Sequence, residues 1–313
     1  MFRGKLVMIG DGAVGSACAY TIMLGGYFSE LVLIDINREK AEGDALDMSH
    51  SAAFSKPVSV YAGDYADCKN ADIIVISAGA AQKPGETRIA LLGRNTEILK
   101  SILKNALKYA PSDVILLIVA NPVDILTYAA YKISSLPKPQ VIGSGTVLDT
   151  SRLKYLISRH TGVDARNCHT YVMGEHGDSE LAVWSITNIA GMSMEEFFRH
   201  TGKCTAADLE NICREVKNSA YDIINKKGAT CYGIAAAVAR ITECIAGGEN
   251  SILTVSCILD GEYGIDRAAL SVPAQLSSTG IERILEIPLS GEELEKLLKS
   301  AATLKKSLKN INL

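Results

Sequence analysis

Between Lys5 and Ser16 the chain reads KLVMIGDGAVGS. Lys5 to Ile9 is an apolar run long enough for one buried strand, and Gly10, Gly12 and Gly15 complete a G-x-G-x-x-G. Ala13 to Leu24, small, apolar and free of proline, reads as a helix. Strand, glycine turn and helix in that order are the context of a dinucleotide-binding turn. Each glycine has its own task there. Gly10 permits the tight turn, Gly12 lets the backbone approach a pyrophosphate, and Gly15 lets helix and strand pack closely, with the helix N-terminus facing the anion. A glycine triplet alone can mark nothing more than a turn. Here a second strand, Glu30 to Ile34, ends on Asp35, 20 residues past Gly15, where an acid can accept hydrogen bonds from an adenosine ribose. Asp35 repels a 2′-phosphate and favours NAD over NADP, while the nearby Arg38 keeps NADP open.

The first half alternates. Strands are expected at 5–9, 30–35, 58–62, 72–78, 114–119 and 141–143, and helices at 14–25, 38–49, 88–109 and 123–134. The clearest strands, IIVIS and VILLIV, are continuous apolar runs, the mark of a parallel sheet covered on both faces. Six such strands make an α/β, doubly wound dinucleotide-binding domain over residues 1–143. Near residue 144 the pattern changes. Helices are expected at 148–160, 195–200, 206–225, 232–246 and 291–308. Short strands are expected at 168–173 and 181–186, and a hairpin pairs 251–259 with 268–277. Residues 144–313 therefore read as a second, α+β domain. With no flexible linker between the halves, a ligand cleft is expected where they meet.

Of the 313 residues, 48% are hydrophobic and 21% charged, so a large core is available and disorder is not expected. The net charge of −3 and the lack of a basic block give no nucleic-acid partner. No apolar run approaches the ~18 residues of a membrane span, and no leader pattern precedes the first strand; a cytoplasmic protein is expected. The eight cysteines form no C-x-x-C and no zinc spacing, so neither disulfides nor a metal site is expected.

Four places could carry chemistry. Ala78 to Gly93, AGAAQKPGETRIALLG, follows the fourth strand at the carboxyl edge where such sheets bind ligands. It reads as a surface loop with a solvated arginine, or as a lid that carries Arg88 onto a substrate. Asn121, before Pro122, is placed to cap the next helix or to reach a nicotinamide or substrate. Asp149 and Arg152, three apart on a helix, form either a simple ion pair or a site in which Arg152 clamps a carboxylate and Asp149 orients a histidine. His176, in MGEHGD, alone of the five histidines lies between nearby glycines after a strand, as an exposed acid/base would.

Taken in order, GDGAVGS, LIDIN, AEGDALDMSH, AGAAQKPGETR, NPVDILTY, GSGTVLDTSR, MGEHGDSE and KGATCYGIA resemble the L-lactate/malate dehydrogenase family, and within it the bacterial L-lactate dehydrogenases. The resemblance runs along nearly the whole chain. It implies a Rossmann domain followed by an α+β substrate domain. It makes His176 the proton donor to pyruvate and acceptor from L-lactate, with Asp149 orienting its ring. Arg152 binds the substrate carboxylate, Arg88 polarises the carbonyl as the lid closes, and Asn121 bonds the reacting oxygen. Gln82, Asp124 and Thr230 match substrate-binding positions. Gly10, Gly12, Val14, Gly15, Asp35, Lys40, Tyr65, Gly79, Ala80, Ser101, Asn121 and Ser144 match contacts to NAD.

Gln82 bears on the substrate. Malate dehydrogenases of the family carry an arginine at this position, to meet a second carboxylate. A neutral Gln82, with Glu86 nearby, offers no such charge, which favours pyruvate over oxaloacetate. A larger, branched 2-oxo acid stays open, and so does a non-catalytic NAD-binding protein on the same fold. His169 stands where relatives activated by fructose 1,6-bisphosphate carry a histidine, but Lys154 replaces their arginine, which keeps the charge and loses the planar fork. Weak or altered activation by this effector is expected. Cys231, after Thr230, either packs or exposes the pocket to thiol reagents. The resemblance implies a homo-oligomer, a homotetramer, and a cytoplasmic role in fermentative glycolysis.

Overall fold

The computed structural model describes residues 4–80, 88–202, 206–309 and 311. Five strands of the first half begin the main sheet: β1 (Lys5–Ile9), β2 (Glu30–Ile34), β3 (Ser59–Ala62), β4 (Ile73–Ile76) and β5 (Ile115–Ile118). With β6 (Val141–Gly143) they lie parallel in the order β6-β5-β4-β1-β2-β3. This is the doubly wound order, reversing direction between β1 and β4. Helices α1 (Ala13–Gly25), α2 (Arg38–His50), α3 (Arg88–Ala106) and α4 (Val123–Ser134) make the crossovers.

The unbroken apolar runs serve two cores at once. Successive side chains of a strand point to opposite faces. Leu6, Met8, Leu31, Leu33, Val75 and Leu117 enter one core with Cys18 and Ile22 of α1. Their alternates Val7, Ile9, Val32, Ile74, Ile76 and Leu116 enter the other with Leu99 and Leu103 of α3 and Leu126 of α4. Ile74 is fully buried, and cutting it to alanine would cost about 2–5 kcal/mol.

The second half contains α5 (Val147–Thr161), β7 (Cys168–His169), β8 (Val172–Met173), β9 (Leu181–Ala182), β10 (Asn188–Ile189) and β11 (Met192–Ser193). There follow α6 (Met194–Thr201), α7 (Ala206–Lys227), α8 (Tyr232–Gly247), β12 (Ile252–Asp260), β13 (Asp266–Ser277), β14 (Gly280–Ile284) and α9 (Gly291–Leu308). The expected hairpin is β12–β13. It does not stand apart: β12 meets β6 through Ser256 and Gly143, so β12, β13 and β14 extend the parallel sheet antiparallel to nine strands. The strand expected over 168–173 is split between two small sheets, and the one over 181–186 shrinks to two residues before a 3-10 turn at Trp184–Ile186. β10, β11 and β14 lie outside the expected strands; the first two have two residues each, too few for an alternation to be read.

The seven described cysteines, Cys18, Cys68, Cys168, Cys213, Cys231, Cys244 and Cys257, are free thiols. Among the described residues no helix is long and apolar enough to cross a membrane.

Candidate active site

The glycine turn links β1 to α1. Gly10 has φ of +98°, and a Cβ there would lie 2.4 Å from the Ala78 backbone nitrogen. At Gly15 a Cβ would lie 1.8 Å from the Gly10 carbonyl oxygen, so only glycine lets α1 approach the strand this closely. Gly12 differs: nothing lies within 4 Å of the space a Cβ would take. That opening, in front of the N-terminus of α1, suits a pyrophosphate.

A cavity of about 560 Å³ adjoins the turn, and Gly10, Gly12, Asp35, Tyr65, Gly79, Ala80 and Ser101 line it. A fully exposed Ile36 adds an apolar wall. The open cradle at one end and the acid of Asp35 in the same cavity fit an extended dinucleotide. Asp35 is held in place, because its Oδ2 accepts the Asp11 N–H (2.6 Å) and its Oδ1 the Asn37 N–H (2.8 Å). Val14, Gly15, Lys40, Asn121 and Ser144 lie outside the lining. Lys40 turns instead to the Asp11 carbonyl, the Asp11 carboxylate (3.3 Å) and Asp44 (2.5 Å). Arg38, which kept NADP open, is paired with Glu42 at 2.8 Å.

The second cluster is built from α4, α5 and the loop after β8. Asp149 sits in the first turn of α5 and is 1% exposed. Its Oδ1 accepts from Arg152 Nη1 at 2.7 Å, and its Oδ2 lies 2.6 Å from His176 Nδ1. Asp149 thus touches Arg152 and His176 at once, so the ion pair does not rule out the contact to the histidine. Burial opposes ionisation of Asp149, but the two cations prevail and hold its carboxyl below the usual range. An ionised carboxylate accepts only, so Nδ1 carries the hydrogen and Nε2 is the ring atom left able to exchange a proton. Burial also disfavours the His176 imidazolium. Asp149, with Asp124 and Glu180, outweighs it and raises the ring to about 9. The ring is not exposed as expected: 27% of its side chain meets solvent.

Asp124, which the resemblance sets at the substrate, bonds the His176 loop and two serines. It is buried, its Oδ2 accepts the His176 N–H (2.7 Å), and its Oδ1 accepts from Ser256 (2.6 Å) and Ser271 (3.3 Å). One oxygen thus holds the His176 loop and the other ties Asp124 to β12 and β13. Asn121 does not cap α4: the cap position is Pro122, with no side-chain bond, and the Asn121–Pro122 peptide is cis. Asn121 is exposed just past the carboxyl end of β5.

Two contributors were not foreseen. Asn95 of α3, buried, accepts the Ala80 N–H (2.8 Å) and donates to the Asn121 carbonyl (2.9 Å), joining the base of the 78–93 segment to the loop after β5. Its only sequence signal is a polar residue on the inner side of an amphipathic helix. Glu180 is buried beside Asp149 and His176, and burial with the Asp149 charge raises it to about 8. Asp149, His176 and Glu180 could each offer a ligand atom within 4.8 Å of the others. Arg152, already bonded to Asp149, supplies the positive charge that such a cluster needs.

Thr230 is half-buried in the loop between α7 and α8, where Cys231 receives the Lys227 ammonium at 3.5 Å. Gln82 and Glu86 lie outside the described residues; Arg88 opens α3, and its side chain lies outside them. Lys154 on α5 is half-buried, which lowers its pKa, with the Cys168 thiol near enough to act in the opposite sense. The next residue, His169, is exposed on β7.

Known proteins resemble this chain in sequence and fold. Residues 4–143 match the lactate/malate dehydrogenase NAD binding domain, and residues 146–312 match the alpha/beta C-terminal domain of the same family. The L-lactate dehydrogenase 1 of Clostridium acetobutylicum is 54% identical over 308 residues, covering 98% of each chain. That of Acetivibrio thermocellus is 53% identical over 310 residues, covering 99% of this chain and 98% of its own. Among solved structures, the minor L-lactate dehydrogenase of Enterococcus mundtii superposes with a TM-score of 0.97 at 39% identity over the full length of both chains. A lactate dehydrogenase from a Medee basin deep-sea metagenome library gives 0.96 at 44% identity, covering 99% of each. The chain belongs to the lactate/malate dehydrogenase family.

Proposed function

We propose that the chain is an NAD-dependent L-lactate dehydrogenase that interconverts pyruvate and L-lactate. The observation that carries this reading is Asp149 held between His176 and Arg152, which sets a proton donor beside a carboxylate-binding cation. Bound NAD supplies or takes up the hydride. The protein does the rest. His176 Nε2 gives a proton to the carbonyl oxygen of pyruvate in one direction and takes it from the hydroxyl of lactate in the other. Asp149 fixes the ring and stabilises its charged form. Arg152 receives the substrate carboxylate with its two-pronged guanidinium. Arg88, arriving from the start of α3, stabilises the charge that develops on the reacting oxygen, in a site closed to water. Asn121 and Thr230 complete the substrate pocket.

Gln82 sets the choice of substrate, since an unpaired second carboxylate enclosed beside it would cost several kcal/mol. The working unit is a cytoplasmic homotetramer in fermentative glycolysis, with residues 1–143 holding NAD and 144–313 supplying the acid/base. Lys154 beside the His169 strand gives a weakened response to fructose 1,6-bisphosphate. The test is NADH oxidation with pyruvate, oxaloacetate and 2-oxoisocaproate in parallel, each with and without fructose 1,6-bisphosphate. Pyruvate should lead oxaloacetate in kcat/KM by at least about a hundredfold. Preference for oxaloacetate or the branched acid would overturn the substrate assignment, and full activation at low effector concentration would overturn the role of Lys154.

A further inference from the structure

The x position between the first two glycines of the turn holds an aspartate, Asp11, that is 0% exposed. A charged side chain is an unexpected occupant for a turn that must receive a pyrophosphate. Its Oδ1 is buried and has no hydrogen-bond partner among the described residues. What offsets its charge is Lys40, which reaches the Asp11 carbonyl and lies 3.3 Å from Oδ2. Lys40 is shared with Asp44 at 2.5 Å, one turn along α2. The same Asp11 presents its backbone N–H to Asp35. The acid that meets the ribose and the nearby lysine are therefore both organised by one residue. The other cation at the start of α2, Arg38, is taken by Glu42.

We propose that Asp11 and Asp44 are cofactor-specificity residues. By holding Lys40 they keep its ammonium from a 2′-phosphate, and so they exclude NADP beyond what Asp35 does by repulsion. The inference rests on the NAD-dependent reading above. A 2′-phosphate entering beside Asp35 would need Lys40 as its counter-charge. Moving Lys40 to it would strand the buried Asp11 carboxylate, whose second oxygen already has no partner, and an uncompensated buried charge is strongly unfavourable. The 2′-hydroxyl of NAD makes no such demand and can bond to Asp35 with Lys40 left in place. Burial and the neighbouring Asp44 push Asp11 up to about 7 against the pull of Lys40, so the effect is strongest at pH 8, where Asp11 is ionised.

The experiment is direct titration of NADH and NADPH by nicotinamide fluorescence, without substrate, at pH 8. The full chain is compared with Asp35→Ser, with the triple variant Asp35→Ser/Asp11→Asn/Asp44→Asn, and with that triple variant carrying Lys40→Gln. The triple variant should favour NADPH, relative to NADH, about tenfold more than Asp35→Ser alone, and Lys40→Gln should abolish that gain. Asp44→Asn by itself, a change at the protein surface, should give about threefold. Ratios within twofold of Asp35→Ser would overturn the proposal. So would a gain that persists with Lys40→Gln, because loss of negative charge would then suffice. A parent protein that binds neither nucleotide would overturn the NAD reading itself, whereas tight NADH binding with an unmoved ratio would overturn only the part given to Lys40.

Discussion

Asp11 in the glycine turn and Asp149 in the cluster with His176 are equally hidden from solvent, at 0% and 1%, yet they are shifted in opposite directions. Asp149 is held below the usual carboxylate range, and Asp11 is raised to about 7. Burial acts the same way on both. The difference lies in the partners. Asp149 has a cation on each oxygen, Arg152 on one and His176 on the other. Asp11 has one lysine, 42% exposed and shared with Asp44, and an oxygen with no partner. The count and placement of counter-charges, rather than depth, decide whether a buried acid works as an anchor or as a strained element.

The two sites have opposite linkage to pH. Because His176 is raised above its ordinary 6.5, it contributes stability that is complete below about 6.5 and lost as pH rises through about 9. Asp149, lowered, contributes stability above its ordinary value that is lost as pH falls. Their pair is strongest between those limits. Asp11, raised, does the reverse of Asp149: it is least harmful below pH 4, and it destabilises increasingly as pH rises through about 7.

The largest expected effect is at Asp149. Asp149→Asn removes the counter-charge of both His176 and Arg152. It should lower kcat/KM for pyruvate by about 10²–10⁴ and stability by about 3 kcal/mol, read by steady-state assay and urea unfolding. Next comes Asn95→Ala, which leaves the Ala80 N–H and the Asn121 carbonyl without their partner. A loss of about 1–3 kcal/mol in stability, with a higher KM for pyruvate, would show that Asn95 couples the start of the 78–93 segment to the loop after β5. The smallest is at Asp11. Asp11→Asn should stabilise the protein by about 1 kcal/mol at pH 8 and by nearly nothing at pH 4. If its loss matched that of Asp149→Asn, Asp11 would be an anchor after all and the contrast between the two sites would fail.

How much of this could be read from the chain differs between the same two regions. The strands and helices of the first half declare themselves because IIVIS and VILLIV are buried on both faces, and α2 begins where Asn37 caps it. Asp149, Arg152 and His176 carried their own signals: helical spacing for the pair, glycines around the ring. That Asp149 would also reach His176 depends on β8 meeting α5, a contact no local pattern encodes. The resemblance alone assigns Asp124 to the substrate, and nothing local shows its hydrogen-bond partners. The structure turns its carboxylate inward, toward Ser256 and Ser271 from strands more than 130 residues away. Asp11 was invisible because the motif treats its position as arbitrary. Asn95 lacked a signal because one polar residue in a helix is ordinary. β14 escaped because its five residues mix Glu282 and Arg283 with the apolar positions, as suits a strand at the sheet edge.

The most direct test of the account is the pH profile of kcat/KM in both directions, for the parent and for Asp149→Asn. In the parent, pyruvate reduction should fall with rising pH through an apparent pKa near 9, and lactate oxidation should rise through the same value. In Asp149→Asn both limbs should move to lower pH by at least about one unit. Limbs that stay where they were would contradict the claim that Asp149 keeps His176 charged.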